Sequence, residues 1–240
     1  MISTSVSIAV VAADAGLAVL LIAGVAYAAR PERRAWLAGG AVAAWFALAF
    51  VLARLGAYET TSETPMPPAI AFGIVLPTAL GCALLVSEPV RRAIARLPLQ
   101  WLVGAQLYRV VGGLFLVAWL QGDVPAEFAL PAGIGDVLVG IAAPLVALRI
   151  ARDGAERARP WGLGWCALGI LDLVVAVTCG FLTAPSTVQQ LALGDPNVAI
   201  TSYPLVLIPT FAVPASIVLH VYVLSRLLRQ PQAVARPRIA

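Results

Sequence analysis

Long apolar stretches separated by short polar segments dominate this chain. A transmembrane helix needs about 20 mostly apolar residues, and seven stretches of this chain reach that length. They cover residues 6–29, 35–57, 67–87, 99–120, 126–149, 161–183 and 203–228. The pattern therefore predicts an all-α integral membrane protein, a seven-transmembrane-helix bundle whose spans we number 1 to 7. We expect residues 1–228 to form a single membrane domain and residues 229–240 to form a short, basic, disordered cytoplasmic tail.

The composition supports this class of protein. Hydrophobic residues make up 61% of the chain and charged residues 12%, which leaves too little polar surface to cover a water-soluble protein. The chain has no lysine, so no side-chain amine is available for Schiff-base chemistry. Its richness in alanine, glycine, proline, valine and arginine is typical of a GC-rich bacterial genome. We therefore expect a multi-pass protein of the bacterial inner (plasma) membrane.

The distribution of arginines predicts the orientation, because positively charged loop residues are retained on the cytoplasmic side. Apart from Arg54 and Arg109, every arginine lies at or after the end of span 1, 3, 5 or 7. The loops after spans 2, 4 and 6 carry acidic residues instead. This distribution predicts an N-terminus outside and a C-terminus in the cytoplasm.

Two further features bear on the architecture. Asp14 precedes Arg30 by the same number of residues as Asp136 precedes Arg152, so spans 1–3 and 5–7 are candidates for parallel three-helix repeats joined by span 4. Such a layout is similar to that of the SWEET and vitamin-precursor transporters; chance similarity between apolar helices is the alternative. The loop at 184–202 predicts a short capped helix, either an outer lid or an interfacial connector.

Three charged residues lie near the middle of predicted spans: Arg109 in span 4, Asp136 in span 5 and Asp172 in span 6. A charge at that depth costs at least about 2.5–3.5 kcal/mol, so such residues usually face the bundle interior, form pairs and mark ion paths or substrate sites. Small residues share their helix faces, which lets the helices approach closely. The short turn between spans 4 and 5 makes Arg109 and Asp136 the expected pair.

The charges of these three residues do not balance. Arginine cannot lose its proton in a protein, so two ionised aspartates beside Arg109 would leave one negative charge in excess. We expect one carboxyl to be neutral, and Asp172 is the candidate if Arg109 pairs with Asp136. A protonatable carboxyl at that depth is what a proton relay requires. A buried ion-pair network that only fixes the register of the helices is the alternative.

The substrate-binding site predicted from these residues comprises Arg109, Asp136, Asp172, Gln106, Tyr108 and His220. Tyr108 is equally a candidate for an interhelical hydrogen bond, and His220 for a packing residue. The function that we favour is a small-molecule or proton-coupled transporter, or a ligand-binding membrane protein. Its expected partners are membrane lipids and a small polar or anionic ligand or protons, with no nucleic acid; homo-oligomer formation is left open.

One motif points to an enzyme. Residues Gly133-Ile134-Gly135-Asp136 read GxGD, which resembles the signature of presenilin-type and prepilin-type intramembrane aspartyl proteases. The resemblance implies that Asp136 and Asp172 are a catalytic pair that shares one proton and activates water. We favour a role without catalysis, and a sensor or assembly subunit is a third hypothesis.

The sequence identifies no cofactor and predicts no metal site. His220 is the only histidine, and one histidine per chain cannot build a histidine-rich zinc site or bis-histidine haem ligation. A haem with one histidine ligand, or a site shared across a dimer, is left open. Cys82, Cys166 and Cys179 lie in apolar stretches without CxxC spacing and are expected to be free packing residues.

Overall fold

The computed structural model describes residues 2–29 and 34–229, and within these ranges it contains helices and connecting turns but no strand. Its α-helices are α1 (Thr4–Ala28), α2 (Arg34–Arg54), α3 (Ala69–Ala83), α4 (Glu88–Ala95), α5 (Leu99–Gly104), α6 (Gly113–Leu120), α7 (Ala126–Asp153), α8 (Arg159–Thr183) and α9 (Val213–Leu228). The predicted disordered tail lies outside the described residues, except for Arg229.

Within the described ranges, seven helical stretches are long and apolar enough to cross a membrane, as the hydropathy pattern predicts. The fourth, Leu99–Leu120, consists of α5, a 3-10 segment (Ala105–Gly112) and α6. The seventh, Ile208–Leu228, begins with a π-helical segment (Ile208–Ala212) that continues into α9. It starts later than the predicted span because residues 203–206 form turns. All three cysteines are free thiols.

Glycines bring α7 unusually close to the fourth apolar stretch. A Cβ atom added to Gly140 would lie 2.7 Å from the backbone nitrogen of Val110, and one added to Gly133 would lie 2.8 Å from the side chain of Leu116. Real Cβ atoms essentially never come that near to other atoms. The backbone of α7 therefore packs directly against the 3-10 segment and α6, as expected for small residues between apolar helices.

The 3-10 segment and the π-helical segment lie opposite each other. The Tyr108 hydroxyl donates a hydrogen bond of 2.9 Å to the carbonyl oxygen of Ala212. The Gln106 side-chain amide donates one of 3.1 Å to the carbonyl oxygen of Ser216. Pro209 contributes to the irregular backbone because it has no N–H for the helical ladder. Irregular turns inside long helices often occur at functional sites.

The short helix predicted in the loop at 184–202 is wrong. Residues 184–198 form bends, turns and irregular backbone, and within this loop only Ala199–Thr201 makes a 3-10 turn. The backbone amides of Gln190 and Leu191 both donate to the carbonyl oxygen of Leu182 rather than to acceptors within a local helix. The segment is thus bonded back onto the end of α8, and these tertiary bonds replace a helical ladder.

Candidate functional site

Arg109 is the centre of a buried charged cluster and is only 2% exposed. Its Nε atom donates to Asp136 Oδ1 at 2.7 Å, and Nη2 lies 2.7 Å from the same oxygen. Nη2 also forms an ion pair with Asp172 Oδ2. The predicted pairing of Arg109 with Asp136 is confirmed. Asp172 contacts the same guanidinium, because one guanidinium has enough donors to reach both carboxyl groups. The expectation that one of the two carboxyl groups is neutral stays a prediction.

The rest of the guanidinium is also engaged. Nη1 donates to the carbonyl oxygen of Gly169 at 3.4 Å and lies 3.2 Å from His220 Nε2. A guanidinium only donates, so His220 Nε2 must accept, which assigns a neutral ring with its proton on Nδ1. Each of the five N–H donors of Arg109 thus faces an acceptor of the protein. No donor is left for an anionic ligand.

Three glycines make room for the cluster. An added Cβ atom at Gly112 would collide with the side chain of Asp136, and one at Gly135 would collide with Asp172 Oδ1. A Cβ atom at Gly169 would meet the ring of His220 and would lie 3.2 Å from Arg109 Nη1. Helical spacing from the charged residues identifies Gly112 and Gly169 in advance. It misses Gly135, which is adjacent to Asp136 and therefore lies on another face of α7.

Gln106 and Tyr108 belong to the neighbourhood of the cluster but bind a different partner. Both side chains hydrogen-bond to the start of α9, and the Tyr108 hydroxyl also contacts the Ser216 hydroxyl. The alternative in which Tyr108 forms an interhelical hydrogen bond is confirmed, and its role in substrate binding stays a prediction. The structure places His220 against Arg109 and beside Trp165, with ring centroids 4.5 Å apart and the two ring planes tilted by 43°.

An apolar cavity of about 50 Å³ adjoins the cluster. Its walls come from α3, α6, α7, α8, the loop at 184–202 and the beginning of the seventh stretch, and include Ile74, Phe115, Phe181 and Ile208. Among the described residues that line this cavity, Asp136 alone is ionisable. The cavity thus presents one carboxyl group to an otherwise almost entirely apolar space.

A second, smaller cavity of about 30 Å³ also reaches Asp136. Its polar lining consists of Asp14, Tyr108, Arg109, Asp136 and Ser216. Asp136 lines both cavities. Asp14 is not among the predicted site residues, and its sequence position leaves two interpretations open, a station in the outer half of the path or a snorkelling group.

A family model for a domain of unknown function (DUF8737) matches residues 65–228. The chain belongs to this family. The matched range contains Arg109, Asp136, Asp172 and His220, whereas Asp14 precedes it. Comparisons with curated proteins and with solved structures found no match. Function is therefore inferred from the geometry of the site.

Proposed function

We propose that the chain is a multi-pass protein of the bacterial inner membrane, with its N-terminus outside and its C-terminus in the cytoplasm. Seven helices of sufficient length and apolar character support insertion into a membrane. The one-sided distribution of arginines supports the orientation. The two parallel three-helix repeats, the single domain over residues 1–228, lipids as partners and a homo-oligomer stay predictions.

Within this protein, the cluster of Arg109, Asp136 and Asp172 binds and releases a proton. The supporting observation is that the buried Asp172 and the partly buried Asp136 share one guanidinium whose donors are all engaged. The cluster therefore carries one negative charge in excess when both aspartates are ionised. An uncompensated charge is costly in a buried site, so the stable states of the cluster are those in which a proton or another cation neutralises it.

The adjoining apolar cavity is the ligand compartment of a small-molecule carrier. A ligand in this cavity meets the carboxyl group of Asp136 and finds no free donor on Arg109. The sequence predicts a small polar or anionic ligand or protons; the arrangement of the site supports instead a small molecule that presents a positive charge or a hydrogen-bond donor. A cationic ligand and a proton would then compete for the same excess negative charge. Competition of this kind couples the movement of the ligand to that of protons.

This proposal is tested with isobutylamine, isobutanol and isobutyrate, which share a carbon skeleton and differ in charge. We expect isobutylamine to raise the melting temperature of the purified protein and to release protons into a weakly buffered solution as it binds. Isobutyrate should do neither, because it would face a carboxyl group. The variant Asp136→Asn should lose the response to the amine, while Asp195→Asn, which alters an exposed loop carboxylate, should keep it. Equal responses to the amine and the carboxylate would refute the proposal.

The intramembrane protease stays the alternative enzymatic hypothesis, with Asp136 and Asp172 as its catalytic pair. In its favour, both carboxyl groups contact the same guanidinium, and Asp136 lines a cavity. Against it, Arg109 lies between the two groups, whereas an aspartyl protease needs carboxyls that share one proton. A sensor or assembly subunit is the remaining hypothesis, and it would be favoured if Arg109→Ala impaired only stability or partner association.

A further inference from the structure

Asp14, on α1, is a buried acid that the cluster around Arg109 does not include. The residue is 3% exposed, and its Oδ2 atom has no hydrogen-bond partner. It lines the polar cavity that also reaches Asp136. The carboxyl group thus borders a space that connects it with the proposed proton site.

The groups around this cavity do not supply Asp14 with a counter-ion. Arg109, the cation in its lining, directs its five donors to the two aspartates, Gly169 and His220. The Tyr108 hydroxyl donates to the carbonyl oxygen of Ala212 and contacts the hydroxyl of Ser216. On α2, which packs against α1, all residues between Arg34 and Arg54 are uncharged. An ionised Asp14 would therefore be a poorly compensated buried charge, which is strongly unfavourable.

The cavity is large enough and polar enough for water. A buried water needs at least about 10–15 Å³ and two to four polar partners, and the cavity offers about 30 Å³. Oxygen atoms are available on Asp14, Asp136 and the hydroxyls of Tyr108 and Ser216. About two water molecules could therefore lie between the two carboxyl groups.

We infer that Asp14 is a second proton-binding group, joined to Asp136 by water in the polar cavity. In the resting state Asp14 is the neutral acid and donates its hydrogen bond to a cavity water. In transfer, the O–H bond of Asp14 breaks as a water takes its proton, and that water passes one of its own protons to Asp136. Asp14 is left as the carboxylate and later binds a new proton. This inference rests on the proposed proton-linked function and extends its path to α1.

Infrared spectroscopy of the full chain in lipid nanodiscs tests the inference, because a protonated carboxyl group has its own C=O stretching band. At neutral pH we expect the wild-type protein to show one such band, distinct from that of the Arg109 cluster, which Asp14→Asn loses and Asp195→Asn keeps. Transfer into D2O should shift the band rapidly, since the cavity water delivers deuterium. The variant Ala13→Leu fills the cavity and should abolish the rapid phase of this shift. Ala23→Leu, on an exposed face of the same helix, should not.

The outcomes separate this inference from the proposed function. If no band depends on Asp14, while Asp136→Asn and Asp172→Asn still change proton binding, the path to α1 is refuted and the proposed function stands. If the Asp14 band is present but neither of those two variants changes proton binding, the proposed function fails. A band that NaCl removes at constant pH, relative to choline chloride, would show sodium binding at Asp14 and overturn the inference. The Ala13→Leu measurement keeps Asp14 in place and does not depend on the folding of Asp14→Asn.

Discussion

Asp172 Oδ1 occupies the space in which Gly135 would carry a side chain. This contact brings α7 and α8 close enough for one guanidinium, that of Arg109, to reach a carboxylate from each of them. The glycine in the GxGD sequence therefore has a structural role that does not depend on protease chemistry. It makes room for the second acid of the cluster.

Replacing Gly135 by alanine should displace Asp172 from Arg109. We expect Gly135→Ala to lower the melting temperature and to abolish the proton release that accompanies isobutylamine binding. The matched control is Gly164→Ala in α8, because an added Cβ atom there meets nothing within 4 Å. That control should be neutral or slightly stabilising, by up to about 1 kcal/mol, since alanine favours helix over glycine. A Gly135→Ala protein that matches this control in both measurements would contradict the proposed packing.

Replacing Arg109 should leave the carboxyl groups of Asp136 and Asp172 without a counter-ion. Breaking a buried ion pair from one side costs about 3–5 kcal/mol, so Arg109→Met should strongly reduce the free energy of unfolding at neutral pH. The loss should shrink in acid, where the two carboxyl groups become protonated and no longer need a counter-ion. Adding Asp172→Asn to Arg109→Met should restore part of the stability. Chemical unfolding in detergent at several pH values measures all three effects.

A surface ion pair supplies the control for this experiment. Arg92 is exposed, and its Nε atom lies 3.6 Å from Glu88. Exposed pairs contribute about 0–1 kcal/mol, so Arg92→Met should leave stability nearly unchanged. Equal losses in the free energy of unfolding for Arg92→Met and Arg109→Met would show that the central cluster contributes no more to stability than a surface ion pair.

Two tyrosines with similar hydrogen bonds allow a matched comparison. Tyr108 donates to the carbonyl oxygen of Ala212 and borders the polar cavity, whereas Tyr222 donates to the carbonyl oxygen of Gly81 away from it. Either change to phenylalanine should cost a similar amount, about 0.6 kcal/mol. Only Tyr108→Phe should also change the rate at which the carboxyl band shifts in D2O. Identical exchange rates in the two variants would show that the hydroxyl of Tyr108 takes no part in proton transfer.

The protease hypothesis makes a separate prediction. If the GxGD resemblance reflected activity, the wild-type protein in liposomes would cleave a helical membrane substrate, and Asp136→Ala and Asp172→Ala would each block that cleavage. We expect no cleavage, because the guanidinium of Arg109 contacts both carboxyl groups, whereas the protease mechanism needs two carboxyls that share one proton. Gel analysis of a labelled helical peptide decides the question, and cleavage lost in both variants would establish the enzyme.

Much of the fold could be predicted from hydropathy alone. A stretch long and apolar enough to cross a bilayer has few alternatives to a helix, so all seven stretches were found. The meeting of Arg109 and Asp136 followed from the cost of a buried charge and from the short turn that joins their helices. The loop at 184–202 was mistaken for a helix, because bonds to the end of α8 are invisible in a local pattern.

The finer geometry of the site depended on contacts distant in sequence. The sharing of Arg109 by two aspartates requires the close packing that Gly135 permits, and that glycine lies outside the face identified by helical spacing. The two cavities arise from the 3-10 and π-helical segments and from the packing of five or more helices. The sequence also indicates that Asp14 is a candidate functional residue, since an acid in an apolar stretch is costly. Its connection with Asp136 depends on the cavity between them, which only the structure shows.

The central claim is that two acids on one arginine hold an exchangeable proton, and a pH titration followed by infrared spectroscopy tests it most directly. In the wild-type protein we expect a protonated-carboxyl band that grows and disappears reversibly with pH and that is distinct from the band of Asp14. In Asp172→Asn the remaining pair of Arg109 and Asp136 is neutral, so this titrating band should be lost while the protein stays folded. The same titration in both proteins would contradict the claim.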